Sequence, residues 1–316
     1  MTTATVDRPA RRVTTPPRRR PRAPRFVLAV PASVWYLLYF LVPLAIIVLY
    51  SFGYKPASDA DNAGTIGLDK LSLDNYVDTL QDEAFVSTFR SSVRVALIGT
   101  TLLFLIAFPL AYFLATRVRP RWRGLMLALV IVPFWTSFLL RTFAWRIILA
   151  PNGFVSNQLQ SLHLIDSPIE LLDTRTAVQI GIVYNYLPLM IFPLFVALDR
   201  LDPALREASK DLGAGRVRTF FSVTLPLAMP GIVAGLLLSF IPLMGEYVTP
   251  EILGGAQGLM AGSLVVSQFL EAQNWALGSA MAVVLVLLTM LVIAFFAVVA
   301  SVIRLVLARR RHVAEA

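Results

Sequence analysis

Cysteine is absent from this chain of 316 residues, and histidine occurs only twice, as His163 and His312. The lack of cysteine excludes disulfides, thiolate metal sites and cysteine catalysis. The patterns His-Glu-x-x-His and Gly-x-Ser-x-Gly are absent as well, so the sequence encodes neither that zinc site nor a serine nucleophile elbow. We therefore expect no catalytic residue, no metal ligand and no cofactor bound to this chain.

Lysine is also scarce, and none of the three lysines follows a glycine. They are Lys55, Lys70 and Lys210. A phosphate-binding loop of the common kind requires Gly-Lys followed by Ser or Thr. Any ATP hydrolysis that serves this chain must therefore come from another subunit.

Charged residues make up only 15% of the chain, whereas 57% of its residues are hydrophobic. An ordinary soluble domain carries about 25% charged residues. Six long apolar segments account for the difference, and a helix of about 20 such residues crosses a hydrocarbon core of about 30 Å. The sequence therefore predicts an all-α integral membrane protein with spans at about 26–50, 93–116, 124–150, 176–198, 226–249 and 276–307.

A further uncharged run, 252–270, is predicted not to be a span. It contains four glycines, each of which costs about 1 kcal/mol in a helix. A seventh span would also move the cluster Arg309, Arg310 and Arg311 away from the other basic residues. We expect a bent, re-entrant or surface segment here.

Basic residues near span ends stay in the cytoplasm. With six spans, most of the 28 Lys and Arg residues fall on the side that holds both termini and the loops 117–123 and 200–226. The sequence thus predicts a disordered basic tail over 1–25 and a short tail over 309–316, both cytoplasmic. Topology and attraction to anionic lipid explain the net charge of +9 without nucleic acid.

The loop at about 200–226 carries strong local signals for a helix. Asp202 is a good N-cap, Pro203 suits the first helical position, and Gly213 and Gly215 supply a stop. These signals predict a helix from Pro203 to Leu212. Its apolar stripe consists of Leu205, Ala208 and Leu212, with charged residues on its flanks. Such a helix fits an interfacial connector or a surface that contacts a partner outside the bilayer.

This loop resembles the signature loop of bacterial ABC importer permeases, which reads Glu-Ala-Ala, three residues, Gly, nine residues, then Ile-x-Leu-Pro. The matching residues are Glu207-Ala208-Ser209, Gly213 and Val223-Thr224-Leu225-Pro226. In that family the loop forms a coupling helix that docks in a groove of a separate ATPase. The resemblance implies a coupling role for Glu207, Ala208, Ser209, Gly213, Leu225 and Pro226, and a type I importer permease architecture.

Four further segments resemble spermidine/putrescine transport permeases. They are PFWTSFLLRTFAW (133–145), YNYLPLMIFPL (184–194), GEYVTPEILGG (245–255) and the amphipathic LSLDNYVDTL (71–80). The resemblance implies a polyamine cargo that crosses by alternating access. It also implies a second homologous permease, two ATPase subunits that carry ATP and Mg²⁺, and an extracytoplasmic polyamine-binding protein. The location would be the bacterial inner membrane.

Several polar and aromatic residues at membrane depth are candidates for the translocation path. They are Trp135, Tyr184, Asn185, Tyr186 and Glu246. Ionisable residues within spans are functional candidates by default. The sequence is equally compatible with helix packing and interfacial aromatics for the tyrosines, and with a solvated headgroup-level position for Glu246.

The sequence therefore predicts the membrane subunit of an ATP-driven polyamine importer rather than an enzyme. An importer of the same class with another small solute is one alternative. An ion-coupled secondary transporter is another, but the segments 95–140 and 176–198 contain no carboxylate that could couple an ion.

Overall fold

The computed structural model describes residues 25–56 and 65–314, with backbone alone for residues 25–28, 299–300 and 302–314. The chain divides into two units, Met1–Ile46 and Ile47–Ala316. Nearly all of the predicted disordered tail, 1–25, lies outside the described residues, as do the last two residues of the predicted tail 309–316.

The predicted first span is helical in three consecutive stretches. These are α1 (Arg25–Tyr36), a π turn (Leu37–Leu41) and α2 (Val42–Tyr50). The π turn precedes Pro43, which has no backbone donor and whose ring crowds the carbonyl four residues earlier. The side chains of residues 29–50 are mostly exposed and apolar, which suits contact with lipid.

Helices also make up most of the described part of the second unit. In chain order they are α3 (Asp74–Gln81), α4 (Glu83–Thr116), α5 (Pro120–Ile131), α6 (Phe138–Leu149), α7 (Phe154–Ser161), α8 (Arg175–Asp199), α9 (Pro203–Asp211), α10 (Arg216–Thr219), α11 (Leu225–Met244), α12 (Val248–Gly254), α13 (Ala261–Leu270) and α14 (Trp275–Ala314).

The core of this unit lies where α4, α8 and α11 pack together. Leu103, Ile182, Met190, Leu194 and Leu243 are fully buried there. Gly231 and Gly235 of α11 lie against α8. A Cβ atom added at Gly231 would come within 2.3 Å of the Ala197 Cβ atom, so only glycine allows this approach.

Five helical stretches within the described residues are long and apolar enough to cross a membrane. They are Ala29–Tyr50, Glu83–Thr116, Arg175–Asp199, Arg216–Met244 and Trp275–Val298. Two further helix pairs meet the same test but are sharply bent, so the total reaches seven if each pair is one span. The predicted count of six lies within this range and stays a prediction.

The segment predicted as a third span, 124–150, is not one straight helix. Pro120–Trp135 and Phe138–Ser161 meet at 87°. Thr136 and Ser137 adopt extended ψ angles of 157° and 137°, and Pro133 in the preceding 3-10 turn has no backbone donor. The apolar composition of this segment therefore does not reveal that the chain bends within it.

The glycine-rich run 252–270 is bent, as the sequence predicts. Val248–Gly258 and Ala261–Leu270 meet at 102°. Gly255 has φ +48°, a conformation that other residues rarely adopt. The backbone of this segment packs closely on its neighbours, since a Cβ atom at Gly262 would lie 2.6 Å from the Gly245 carbonyl oxygen.

Candidate functional site

The helix predicted in the signature loop is present as α9, one residue shorter than expected. Its N-terminus is capped by Asp202, whose carboxylate accepts a hydrogen bond from the backbone N–H of Ala204 at 2.9 Å. Pro203 occupies the first helical position. Leu212 is the C-cap and follows the last helical residue, Asp211.

The turn after α9 depends on Gly213, whose φ is +81°. The backbone N–H of Ala214 returns to the Ser209 carbonyl oxygen at 3.1 Å, and the Ser209 hydroxyl lies 3.0 Å from the Thr219 hydroxyl. Ser209 stands where the signature has alanine. The sequence did not predict that the Ser209 hydroxyl has a hydrogen-bond partner in Thr219.

The predicted apolar stripe of α9 is free of contacts that would bury it. Leu205, Ala208 and Leu212 are all exposed, and Leu212 is 89% exposed. Val217 and Phe221, beyond the turn, are exposed as well. Apolar side chains clustered in a loop between spans form a surface that would gain from burial against another chain.

Leu225 and Pro226, the last two residues predicted to act in coupling, are the first two residues of α11. Leu225 is half-buried and Pro226 follows it at the helix N-terminus. A π turn, Phe220–Thr224, precedes them because Pro226 donates no backbone hydrogen bond and crowds the carbonyl four residues earlier. They direct the chain from the loop into the span rather than extend the exposed stripe.

We expect Gly213→Ala to destabilise this loop by about 1–2 kcal/mol, because alanine at φ +81° is strained. An added Cβ atom at Gly213 meets nothing within 4 Å, so the cost is conformational only. Gly215→Ala is the matched control, since Gly215 is equally open but has φ −63°. Thermal melting of both purified variants tests this prediction, and equal melting midpoints would contradict it.

Glu246 is buried, with 6% exposure, between the end of α11 and the start of α12. The Tyr186 hydroxyl donates a hydrogen bond to one carboxylate oxygen, and the Thr249 backbone N–H donates to the other at 2.9 Å. The solvated position that the sequence allowed for this side chain is therefore excluded. Tyr186 and Glu246 form one pair although 60 residues separate them.

A recess of about 330 Å³ adjoins this pair. Its walls are Phe138, Tyr186, Pro242, Gly245, Glu246, Tyr247 and Val248. Phe138 begins the helix that follows the corner at Thr136, and Val248 begins the first helix of the other bent segment. The recess therefore adjoins both the corner at Thr136 and the non-helical residues 245–247 between α11 and α12. Non-helical backbone at membrane depth is tolerated where it is buried or lines a cavity.

The other predicted path residues lie elsewhere. The Tyr184 ring packs against Phe134 and Trp145, with ring centres 5.8 and 5.4 Å apart. The Asn185 side-chain amide donates to the Thr142 hydroxyl at 3.1 Å, and its own Oδ1 is buried without a partner among the described residues. Trp135 is 83% exposed. The structure therefore groups Tyr186 with Glu246 and separates both from these three.

Arg141 and Arg146, both on α6, have no carboxylate partner among the described residues. The Arg141 guanidinium instead lies 4.5 Å from the Phe134 ring centre and donates to the Pro133 carbonyl at 3.3 Å. Arg146 donates to the Ile252 carbonyl. Among the described residues, the partners of these arginines are thus an aromatic ring and backbone carbonyls that belong to the two bent segments.

The family model of the binding-protein-dependent transport system inner membrane component matches residues 107–312. The spermidine/putrescine transport system permease protein PotB of Haemophilus influenzae is 36% identical over 259 residues, which cover 82% of this chain and 88% of that protein. The protein of the same name from Escherichia coli K12 is 37% identical over 251 residues, or 79% of this chain and 88% of that protein.

Two solved structures of a bacterial ABC transporter of the polysaccharide alginate show a similar fold. One has a TM-score of 0.63 at 18% identity and covers 86% of this chain and 92% of the other. The second, in complex with a periplasmic protein bound to an alginate pentasaccharide, has a TM-score of 0.68 at 15% identity and covers 86% and 91%. These findings confirm the predicted all-α importer-permease fold. The chain belongs to the family of binding-protein-dependent transport system inner membrane components, and is a multi-pass membrane subunit of an ABC importer.

Proposed function

We propose that this subunit moves polyamines such as spermidine and putrescine into the cytoplasm. The observation that carries this proposal is the buried Glu246 carboxylate beside a recess between the two bent segments. The names of the relatives that share about a third of its residues agree with such a cargo.

The chemistry of the recess suits an ammonium group. Glu246 supplies a negative charge, and Phe138, Tyr186 and Tyr247 supply aromatic rings, whose faces attract cations. The Tyr186 hydroxyl donates a hydrogen bond to one carboxylate oxygen. An arriving ammonium group would take over this oxygen, so that cargo binding and side-chain movement are linked.

The energy for transport would come from outside this chain. In our proposal the exposed stripe of α9 docks on an ATPase subunit that carries ATP and Mg²⁺, and Glu207, Ala208, Ser209 and Gly213 lie at or near the contact. Closure of two ATPase subunits would then move α9 and, through the π turn and α11, the wall of the Glu246 recess. This connection is continuous, because α11 is one helix from Leu225 to Met244 and is followed directly by Gly245.

The complete transporter would contain a second homologous permease, two ATPases and an extracytoplasmic polyamine-binding protein. Both termini of the present chain would be cytoplasmic, as the distribution of basic residues predicts. Alternating access would expose the recess first to the binding protein and then to the cytoplasm.

Uptake of radiolabelled spermidine and putrescine by cells with and without this gene tests the function, with sulfate and a sugar as control solutes. We expect deletion to abolish polyamine uptake selectively and the intact gene to restore it. If deletion instead abolished the uptake of another solute, the polyamine cargo would be contradicted, but the assignment as an importer would stand. Uptake that persists when the partner ATPase is inactivated would indicate ion coupling and contradict the proposal.

A further inference from the structure

Another recess, of about 320 Å³, lies beside α9, and most of the charged side chains in its lining are basic. Four basic side chains line it, namely Arg117, Arg206, Lys210 and Arg216, against one carboxylate, Glu207. Thr116 and Tyr112 lie on the same wall as Arg117. We call this site the basic recess.

The cations of the basic recess have no anionic partner in the described part of the chain. The one ion pair found there joins Arg123 to Asp199. The four cations form no side-chain hydrogen bond to a described residue either, and the Glu207 carboxylate oxygens lie more than 4.0 Å from their side-chain nitrogens. Like charges held around one space repel each other unless an anion enters, and their N–H groups remain free to bind it.

The basic recess and the apolar stripe lie on different faces of α9. Arg206 and Lys210 are four residues apart and therefore share one face of the helix. Leu205, Ala208 and Leu212 share another face, which is roughly opposite at about 3.6 residues per turn. A protein that covers the stripe therefore leaves Arg206 and Lys210 of the basic recess open to another ligand.

The recess lies at the height where two apolar helices end. Thr116 is the last residue of the candidate span Glu83–Thr116, and Arg216 is the first residue of Arg216–Met244. Phe113, one helical turn before Arg117, is exposed. A ligand in the recess thus has polar donors at one end and apolar helix surface beside it, which is the arrangement of a lipid headgroup and its acyl chains.

We propose that the basic recess binds the headgroup phosphate of an anionic phospholipid. Phosphate oxygens accept several charge-assisted hydrogen bonds at once, which the converging arginines can donate. A bound phosphate connects the end of α4, through Arg117, with α9 and α10. It therefore holds the loop against the span ends while the stripe faces away from the recess.

The test uses the purified full-length chain in detergent, with its melting midpoint measured against added phosphatidylglycerol, phosphatidylcholine or inorganic phosphate. A ligand that binds the folded state raises the midpoint in a concentration-dependent way. We expect phosphatidylglycerol to raise it and to be retained in native mass spectra. Phosphatidylcholine and inorganic phosphate should have little effect.

Paired variants locate the effect. The double variant Arg206→Gln and Arg216→Gln should weaken the response to phosphatidylglycerol by about tenfold or more. The double variant Arg200→Gln and Arg218→Gln removes the same charge from the same loop but outside the recess lining, and should respond like the original chain. All four residues are at least partly exposed, so both variants should fold, and equal midpoints in phosphatidylcholine check this.

Three results would overturn the proposal. Equal losses in both double variants would show attraction by net charge without a site. Stabilisation by inorganic phosphate that depends on Arg206 and Arg216, with no response to lipid, would assign the recess to a free anion. Unchanged lipid affinity with lost binding of the ATPase subunit would assign it to the partner protein.

Discussion

Glu246→Gln should reduce polyamine uptake roughly 10- to 150-fold at low substrate concentration. A hydrogen bond to a charged group contributes about 1.5–3 kcal/mol, and each 1.4 kcal/mol is a factor of ten. The variant removes the charge but keeps the shape, since the glutamine oxygen can still accept from the Thr249 N–H and its amide can donate to the Tyr186 hydroxyl oxygen. Initial uptake rates with radiolabelled spermidine measure the effect.

Glu251→Gln is the matched control for this variant. Glu251 is an exposed carboxylate on α12, five residues beyond Glu246, and it does not line the recess. We expect it to transport at nearly the original rate, and immunoblots of the membrane fraction should show equal amounts of both variants. Normal uptake by Glu246→Gln would show that Glu246 does not contact the cargo, but it would not contradict the assignment of the chain as an importer subunit.

Leu212→Lys should lower uptake by more than tenfold without loss of the protein from the membrane. Burial of a leucine against a partner contributes about 1.5–3 kcal/mol, and a lysine there would add the cost of burying a charge. The isolated chain should tolerate the change, because Leu212 is 89% exposed and a cation at a helix C-terminus is favourable. Uptake and co-purification of the ATPase subunit measure the effect.

Leu212→Met is the control at the same position, since methionine keeps an apolar side chain of similar volume. It should bind the ATPase and transport at close to the original rate. If Leu212→Lys also bound the ATPase normally, the stripe of α9 would not be a docking surface. A defect in both variants would indicate that the exact shape of leucine, and not its apolar character alone, is required.

The signature loop was predictable because its signals are local. Asp202 caps a helix whose first free N–H groups are only two residues away, and Gly213 takes a positive φ that few other residues tolerate. Such features depend on neighbours along the chain and not on the rest of the fold. The helix accordingly begins where predicted, and its end differs by one residue.

The translocation path was less predictable, because it depends on the directions of side chains. Tyr184, Asn185 and Tyr186 are consecutive, yet successive helical residues point about 100° apart and these three contact different partners. The sequence placed Glu246 at the end of an apolar run, which fits either a solvated headgroup-level position or a contact with a cation. The structure buries Glu246 against Tyr186, and no local pattern connects these two residues.

The sequence by itself determined that this chain is a helical membrane subunit with an external energy source. Apolar length, charge distribution and the absence of a phosphate-binding loop are properties of composition and spacing, and they do not depend on how the helices pack. Only the tertiary structure decided that the segment 124–150 turns a corner and that Tyr186 meets Glu246 there. It also placed the cations of the basic recess around one space. These features arise from contacts between residues far apart in the chain, where packing and the satisfaction of buried polar groups select one arrangement among many that the apolar pattern allows.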